Sequence, residues 1–225
     1  MNGPLLIAHR GTHDPERENT LAAFQAAVEA GADYVEMDVR RTKDDRLVVF
    51  HDAEVAKTPI SKLTHAELIE ASKTQVPELE EVLAWGKGTH LGLDVELKEH
   101  GYVERVIPLL EGYAEGDNKL FVSSFQDPVV HQLSELAPHL KTGLLFSMTT
   151  LGALRRIRET SADVAILEMK LCKEAVVAEL AEAGIETWVW DFFPARSAHA
   201  PWLEDARIDA FITDDIPGIR AKLAR

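Results

Sequence analysis

From Leu91 to the C-terminus the sequence repeats one pattern, in which a short apolar run precedes a stretch with helical spacing. Apolar runs of this kind are typical of buried strands, and they occupy 120–125, 142–146, 164–169, 187–191 and 210–213. Strands that alternate with helices favour a parallel sheet covered by helices. The pattern therefore restricts the chain to the α/β folds.

The N-terminal part of the chain continues this pattern. Strands are predicted at Leu5–Ala8, Tyr34–Arg40 and Leu91–Lys98. Helices are predicted at 19–31, 64–72, 78–86, 102–115, 127–137, 149–159, 173–183, 198–206 and 217–224. Neither a linker nor a short-period repeat interrupts this order, so the chain is expected to form one domain, 1–225, with a short insertion at about 52–77.

One strand candidate, Leu47–Phe50, has no helix before it, because its connection to the preceding strand is too short. If it folds back as a hairpin with Asp44 and Asp45 at the turn, eight strands remain and each is followed by a helix. That arrangement is a (β/α)8 TIM-type barrel with an extra hairpin strand, and it places Asp38 roughly opposite His51. The alternative is that 47–50 enters the barrel as a parallel strand.

The net charge of −14 excludes a polyanion as the main partner, because a binder of nucleic acid or anionic membrane needs a broad positive face. One localised cation can still bind a small anion. No apolar run approaches the ~18 residues of a membrane span, and the N-terminus lacks the features of a signal peptide. The single cysteine, Cys172, fits a reducing compartment. The expected location is the cytoplasm, without stable membrane association.

A histidine, an arginine and a glycine follow the first predicted strand directly, as His9-Arg10-Gly11. An imidazole can transfer a proton near neutral pH, and a guanidinium presents a planar fork of donors that matches a phosphate. The junction is therefore a candidate site for phosphate chemistry. The alternative is a buried histidine beside a surface arginine.

Acidic residues alternate with apolar residues in two of the predicted strands. Glu36 and Asp38 share one face of the second strand, and Asp94, Glu96 and Lys98 share one face of the strand at 91–98. Buried like charges are costly unless a cation lies among them, so Glu36, Asp38 and Glu96 are predicted to bind one divalent cation. Oxygen ligands favour hard cations, here Mg²⁺, Ca²⁺ or Mn²⁺. The alternative is that these carboxylates face solvent.

Several short motifs follow one another in a characteristic order. They are His9-Arg-Gly, Glu18-Asn-Thr, Glu36-Met-Asp38, His51-Asp52, Pro77-Glu-Leu-Glu-Glu81, Glu96-Leu-Lys98 and Thr213-Asp214. Each motif is weak alone, but the ordered set is specific and resembles that of the glycerophosphodiester phosphodiesterases over nearly the whole chain. The resemblance implies an enzyme that hydrolyses glycerophosphodiesters to sn-glycerol 3-phosphate and an alcohol.

The resemblance also implies a role for each residue of the site. His9 and His51 are the acid/base pair, with His9 favoured as the first base and His51 as the first acid. Arg10 and Lys98 bind the phosphate, and the three carboxylates named above hold the metal. The 2-hydroxyl of the substrate is expected to attack phosphorus, because a well-oriented neighbouring group reacts readily. The product of that step is a cyclic 1,2-phosphate, which water then opens.

The sequence departs from the family pattern at two places. After His51-Asp52 it has Lys57-Thr58-Pro59 and a short connection where many relatives have a longer segment, so the pocket could be open to larger or different head groups. The late Val-Trp-Thr of the family is Val189-Trp190-Asp191 here. Trp190 and Phe125 are predicted to contact the substrate, with simple packing as the alternative.

Two other functions stay open at this point. A lysophospholipase D that acts on lipid-like diesters needs an apolar channel, and aromatic residues cluster at Trp188, Trp190, Phe192, Phe193 and Trp202. A catalytically silent barrel that binds a phosphorylated ligand or another protein is the second alternative. The sequence leaves the alcohol, the metal and the oligomeric state open.

Overall fold

The computed structural model describes residues 3–11 and 17–224, in which strands and helices alternate. The strands are β1 (Leu5–Ala8), β2 (Tyr34–Arg41), β3 (Leu47–Val49), β4 (Glu54–Val55), β5 (Thr58–Pro59), β6 (Gly92–Leu97), β7 (Leu120–Ser124), β8 (Thr142–Phe146), β9 (Val164–Glu168), β10 (Glu186–Trp190) and β11 (Ala210–Thr213). The α-helices are α1 (Leu21–Glu29), α2 (His65–Ser72), α3 (Leu79–Gly86), α4 (Val103–Ala114), α5 (Asp127–Leu136), α6 (Ala153–Thr160), α7 (Glu174–Glu182), α8 (Ala200–Leu203) and α9 (Ile216–Leu223).

In the described part of the chain, eight parallel strands close into a ring. Their order is β1, β2, β6, β7, β8, β9, β10 and β11, and β1 pairs with both β2 and β11, which closes the barrel. Helices lie between successive strands of the ring, as the alternating sequence pattern predicted. The predicted (β/α)8 TIM-type barrel is confirmed.

The extra strand, β3, is a hairpin partner of β2 and lies outside the ring. It runs antiparallel to β2, with Val49 opposite Val39, so the alternative of a parallel barrel strand at 47–50 is wrong. Asp45 adopts a left-handed conformation at the turn, with a φ of 64°, which aspartate tolerates better than most residues. The backbone N–H of Phe50 donates to the carbonyl of Asp38 at 2.8 Å, so His51 follows one residue beyond the position opposite Asp38.

The segment after His51 contains structure that the sequence pattern did not predict. β4 and β5 form a two-stranded antiparallel hairpin, and a 3-10 helix at Ile60–Lys62 follows it. Ile60 and Leu68 pack with Val48 of β3 in a small apolar cluster of their own. Thr64 and Glu67 form a capping box that begins α2. The segment is therefore anchored on the hairpin strand.

Strand residues alternate between the outside and the inside of the barrel. In β2, Val35, Met37 and Val39 face the helices and join the large core between the two layers. The inside of the barrel holds a second apolar cluster that includes Phe121 and Trp188. Gly92 also belongs to the packing, because a Cβ there would lie within 2.3 Å of the ring of Tyr34. Side chains thus fill the barrel and leave the polar positions near the carboxyl ends of the strands.

The structure also shows the lengths of the described helices and the environment of the single cysteine. Among the described helices, none is both long enough and apolar enough to cross a membrane. Cys172 is a free, buried thiol, and burial raises its pKa to about 12. A thiol with such a pKa is a weak nucleophile, so Cys172 has a packing role.

Candidate active site

The predicted site residues meet at the carboxyl end of the barrel, where TIM barrels carry their active sites. A cavity of about 210 Å³ opens there. Eight of the nine predicted residues line it, namely His9, Arg10, Glu36, His51, Glu96, Lys98, Phe125 and Trp190. The ninth, Asp38, is buried and touches Arg10 and Lys98. The structure therefore brings the whole predicted set together.

The turn after β1 positions the first two of these residues. Arg10 and Gly11 both have positive φ angles, 52° and 92°, and a Cβ at Gly11 would lie 2.7 Å from the backbone of Ala23. Only glycine fits that position without displacing α1. The turn directs the backbone N–H of Arg10 to Glu36 Oε2, at 2.9 Å. A positive φ is costly for a non-glycine residue such as Arg10. The hydrogen bond from the Arg10 backbone N–H to Glu36 offsets part of that cost.

The acidic triad of Glu36, Asp38 and Glu96 is buried, with one carboxylate oxygen from each lying within 4.8 Å of the others. Sheet register explains the proximity, because Asp38 of β2 pairs with Glu96 of the neighbouring β6. Burial, and then the charge of Asp38, raise the pKa of Glu36 well above its ordinary value. Burial also raises the pKa of Glu96. Burial opposes ionisation of Asp38 too, but Lys98 and Arg10 lower its pKa to about 2.

Two cations already contact this triad. Lys98 Nζ lies 3.0 Å from Asp38 Oδ1 and 2.6 Å from Glu96 Oε1. Arg10 Nε lies 3.3 Å from Asp38 Oδ2, and its Nη1 donates to Glu18 at 3.0 Å. The amide of Asn19 donates to Asp38 Oδ2 at 2.7 Å. Asp38 is thus the most strongly compensated of the three carboxylates.

The donor set of the triad fits a divalent metal ion. Glu36 Oε1 is buried and makes no hydrogen bond to any described residue. The negative charges of Asp38 and Glu96 also oppose ionisation of Glu36. An unpartnered buried carboxylate oxygen is costly. All donors in the set are oxygens, which suits a hard cation.

Each of the two histidines is held by an aspartate. His9 Nδ1 lies 2.9 Å from Asp214 Oδ1, and His51 Nδ1 lies 2.9 Å from Asp52 Oδ1. With Nδ1 engaged, Nε2 is the ring nitrogen available for proton transfer. Burial and the nearby Arg10 lower the pKa of His51, and Asp38 opposes that shift. The motifs contained both aspartates, but only the tertiary structure shows that Asp214 orients His9.

Aromatic side chains form one wall of the cavity. The Phe125 ring centroid lies 5.7 Å from Lys98 Nζ, and Phe125 meets Trp190 edge-on at 5.9 Å. Three other aromatic residues of the 188–202 cluster are used in packing. Trp188 lies 4.0 Å from Phe121, measured between ring centroids, and Phe192 belongs to the large core, against which Trp202 packs. Of this cluster, Trp190 alone appears in the cavity lining.

Asp94 also lines the cavity, although the sequence pattern assigned it no role. It is fully buried, and burial raises its pKa to about 8. Its Oδ1 accepts a hydrogen bond from Ser123 Oγ at 2.8 Å. The signal that could have identified it is its position two residues before Glu96 on the same strand face.

A second cleft of about 310 Å³ lies beside His51. Its walls include Glu18, Phe50, Asp52 and Glu54. His51 lines both this cleft and the main cavity, so the two spaces share this residue.

A TIM barrel with two histidines, two basic side chains and an acidic triad around one cavity has the chemical groups of a phosphoester hydrolase. Comparison with known proteins agrees. Residues 9–217 match the glycerophosphoryl diester phosphodiesterase family. The chain belongs to this family of hydrolases, so the predicted family and enzyme class are confirmed.

Individual relatives differ in their named activities. The glycerophosphodiester phosphodiesterase of Caldanaerobacter subterraneus is 33% identical over 162 residues, which cover 63% of this chain and 66% of that protein. Lysophospholipase D GDPD1 of Rattus norvegicus is 31% identical over 128 residues, covering 48% and 41%. A phosphodiesterase from Oleispira antarctica, solved with the product sn-glycerol-3-phosphate, has the same fold, with a TM-score of 0.87, 23% identity and coverage of 99% and 97%.

Proposed function

We propose that this protein hydrolyses glycerophosphodiesters to sn-glycerol 3-phosphate and an alcohol. The observation that carries this proposal is the grouping of two aspartate-paired histidines, Arg10 and Lys98 around one small cavity. Phosphodiester cleavage needs a base for the attacking hydroxyl, an acid for the leaving alcohol and positive charge for the phosphate oxygens. The cavity supplies all three.

Glu36, Asp38 and Glu96 are proposed to hold one divalent cation, Mg²⁺ or Ca²⁺, with Mn²⁺ as a third candidate. When bound, such an ion polarises phosphoryl and hydroxyl oxygens and offsets negative charge that develops on them. The buried, unpartnered Glu36 Oε1 supports this assignment.

Arg10 and Lys98 are proposed to bind the phosphate. Both are charged, because Asp38 raises the pKa of each against the opposing effect of burial. Both also line the cavity. The Arg10 guanidinium provides a fixed fork of donors and Lys98 a point charge, so the two side chains orient a diester and stabilise the extra charge of its transition state.

The two histidines are proposed to exchange protons in two steps. In the first, His9 accepts the proton of the substrate 2-hydroxyl, the new O–P bond closes a cyclic phosphate, and His51 protonates the alcohol as its P–O bond breaks. In the second, His51 takes a proton from water, which opens the ring, and His9 returns its proton to the 2-oxygen. The cleft beside His51 supports this order, because it provides space for the departing alcohol on that side.

A coupled assay for released glycerol 3-phosphate tests the proposal. Glycerophosphodiesters of choline, ethanolamine, glycerol and inositol are supplied with Mg²⁺, Ca²⁺ or EDTA. Turnover that EDTA abolishes and a divalent cation restores is expected, and His9→Ala and His51→Ala should each nearly eliminate it. A wild-type protein that binds a diester without cleaving it would instead identify a phosphate-binding barrel.

Lysophospholipase D activity is the second candidate, because relatives from rat, mouse and human carry that name and match 48%, 82% and 48% of this chain. A micellar 1-acyl lysophospholipid in the same assay addresses it. Release of the head group at a rate comparable to that from the water-soluble diesters would favour the lipid substrate.

A further inference from the structure

The inner end of the active-site cavity carries a carboxylate that the proposed reaction does not use. Asp94 is fully buried, and its Oδ1 accepts a hydrogen bond from Ser123. Its Oδ2 makes no hydrogen bond to any residue in 3–11 or 17–224. Because an unpaired buried oxygen costs about 1–3 kcal/mol, its presence in a cavity points to a polar group of a ligand.

Asp94 neighbours the acidic triad but is not one of its three members. It lies two residues before Glu96 on the same face of β6, level with Glu36 in the register with β2. The described carboxylates that can share one ion are Glu36, Asp38 and Glu96, and Asp94 is not among them. Asp94 therefore lies deeper in the barrel than Asp38 and Glu96.

The barrel is closed beneath Asp94. Its neighbour in the sheet register is Phe121 of β7, whose ring lies 4.0 Å from that of Trp188, and both rings belong to the apolar cluster inside the barrel. Leu145 and Ile212 line the cavity from other strands. The inner end is thus a small, mainly apolar space, and its polar groups are Asp94, Ser123 and the neighbouring Glu36.

The chemistry of this space matches the end of a glycerol group. If the phosphate binds at Arg10 and Lys98 with the 2-hydroxyl near His9, the third glycerol carbon and its hydroxyl are left to extend inward. The methylene group would then pack against Leu145 and Ile212, which line the cavity. A hydroxyl both donates and accepts, so it can pair with Asp94 Oδ2 in either protonation state of the carboxyl group.

We propose that Asp94 binds the terminal hydroxyl of the substrate glycerol and thereby selects diesters of free glycerol over 1-acyl lysophospholipids. This inference rests on the proposed function and names the substrate group that the site recognises. An acyl ester has no proton on that oxygen, and the closed barrel leaves no path for an acyl chain. The site would then exclude lysophospholipids because the inner end of the cavity has no space for the acyl chain, even if the cavity entrance is wide.

The test compares two substrates and three variants. The substrates are glycerophosphocholine and its analogue built on propane-1,2-diol, which keeps the 2-hydroxyl and lacks only the terminal one. The wild type should favour glycerophosphocholine in kcat/KM by about 10- to 100-fold, the usual loss when a buried polar group is left unpaired. Asp94→Ala should bring this ratio close to one, and Asp94→Asn, which keeps an acceptor oxygen, should preserve part of it.

The matched control is Thr187→Val. Thr187 is fully buried in β10 and its hydroxyl has no hydrogen-bond partner among the described residues, but it does not line the cavity. This variant removes a buried polar group of the same barrel, so it should leave the substrate ratio at the wild-type value. A ratio that falls equally in Thr187→Val and Asp94→Ala would overturn the inference.

Binding measurements separate this inference from the proposed function. Calorimetry compares sn-glycerol 3-phosphate with propane-1,2-diol phosphate, without any need for turnover. Weaker binding of the second ligand to the wild type, and equal binding of both to Asp94→Ala, are expected; equal binding to the wild type would overturn the role of Asp94. An inactive wild type that still distinguishes the two ligands would refute the proposed reaction alone.

If Asp94→Asn loses the rise in Tm on addition of Mg²⁺, Asp94 is a metal ligand and the inference is wrong.

Discussion

Asp214 Oδ1 lies 2.9 Å from Nδ1 of His9, although 205 residues separate the two in the chain. The contact forms because β1 and β11 are neighbours in the closed barrel, with Ala8 level with Thr213. An aspartate on Nδ1 selects the tautomer that leaves Nε2 free to accept a proton. In the proposed reaction, the same carboxylate lies next to the imidazolium that forms when His9 accepts a proton.

Asp214→Asn should therefore lower kcat by about tenfold or more, because the neutral amide neither orients the imidazole as firmly nor stabilises its charge. Steady-state kinetics measure the effect. Asp205→Asn, on a surface ion pair with Arg207, is the control and should leave kcat unchanged; equal losses in both variants would contradict the role of Asp214.

Metal binding should raise the stability of the protein. A cation that binds the acidic triad only in the folded state adds about 2.7 kcal/mol when its concentration is 100 times its Kd. Thermal melting of the metal-stripped protein, titrated with Mg²⁺, Ca²⁺ and Mn²⁺, measures this effect. Glu36→Gln should lose most of the rise in Tm, whereas exposed Glu179→Gln should keep it. An unchanged Tm with every ion would remove the metal site.

Lys98→Ala should reduce both stability and activity. The Lys98 side chain is 12% exposed and pairs with Asp38 and Glu96, so its removal leaves buried carboxylates uncompensated, at a cost of about 3–5 kcal/mol. Urea unfolding in EDTA measures the loss. Lys170→Ala breaks an ion pair whose lysine is 61% exposed, and it should cost at most about 1 kcal/mol. Equal costs for the two variants would show that the triad does not depend on Lys98.

The stability of the metal-free protein should fall as pH rises through neutrality. Burial raises the pKa of Asp94 from 3.8 to about 8, so between these values the folded state holds a proton that the unfolded state has released. The free energy of unfolding then decreases with increasing pH over this window, and buried Glu36 and Glu96 act in the same direction. Urea unfolding at a series of pH values should show a shallower slope for Asp94→Asn. Identical slopes in the two proteins would contradict the effect of burial on Asp94.

The 2-hydroxyl of the substrate should be essential for turnover. In the proposed mechanism it is the nucleophile, and well-oriented intramolecular attack is strongly favoured. A 2-deoxy glycerophosphodiester should therefore bind and remain uncleaved, and phosphorus NMR of the native reaction should detect a cyclic phosphate. Hydrolysis of the deoxy analogue at a comparable rate would instead indicate direct attack by water.

The sequence by itself determined the barrel and the family, and it predicted a set of site residues that lie together in the structure. Alternating helical and apolar segments are local signals, and the spacing of Glu36 and Asp38 places both on one strand face whatever the tertiary structure. In the structure, eight of the nine predicted residues line one cavity. The sequence offered the hairpin at β3 as one of two alternatives, and the short connection favours it because parallel strands need a longer crossover.

Relations between distant segments were decided only by the tertiary structure. The partnership of His9 with Asp214 depends on closure of the ring, and the contacts of Lys98 with Asp38 depend on the register between β2 and β6. Asp94 Oδ2 is buried and has no hydrogen-bond partner among the described residues. This follows from the packing of Phe121 and Trp188 inside the barrel, which the sequence does not reveal. Local patterns specify which face a side chain occupies, but hydrogen-bond partners and burial depend on packing between segments far apart in the chain.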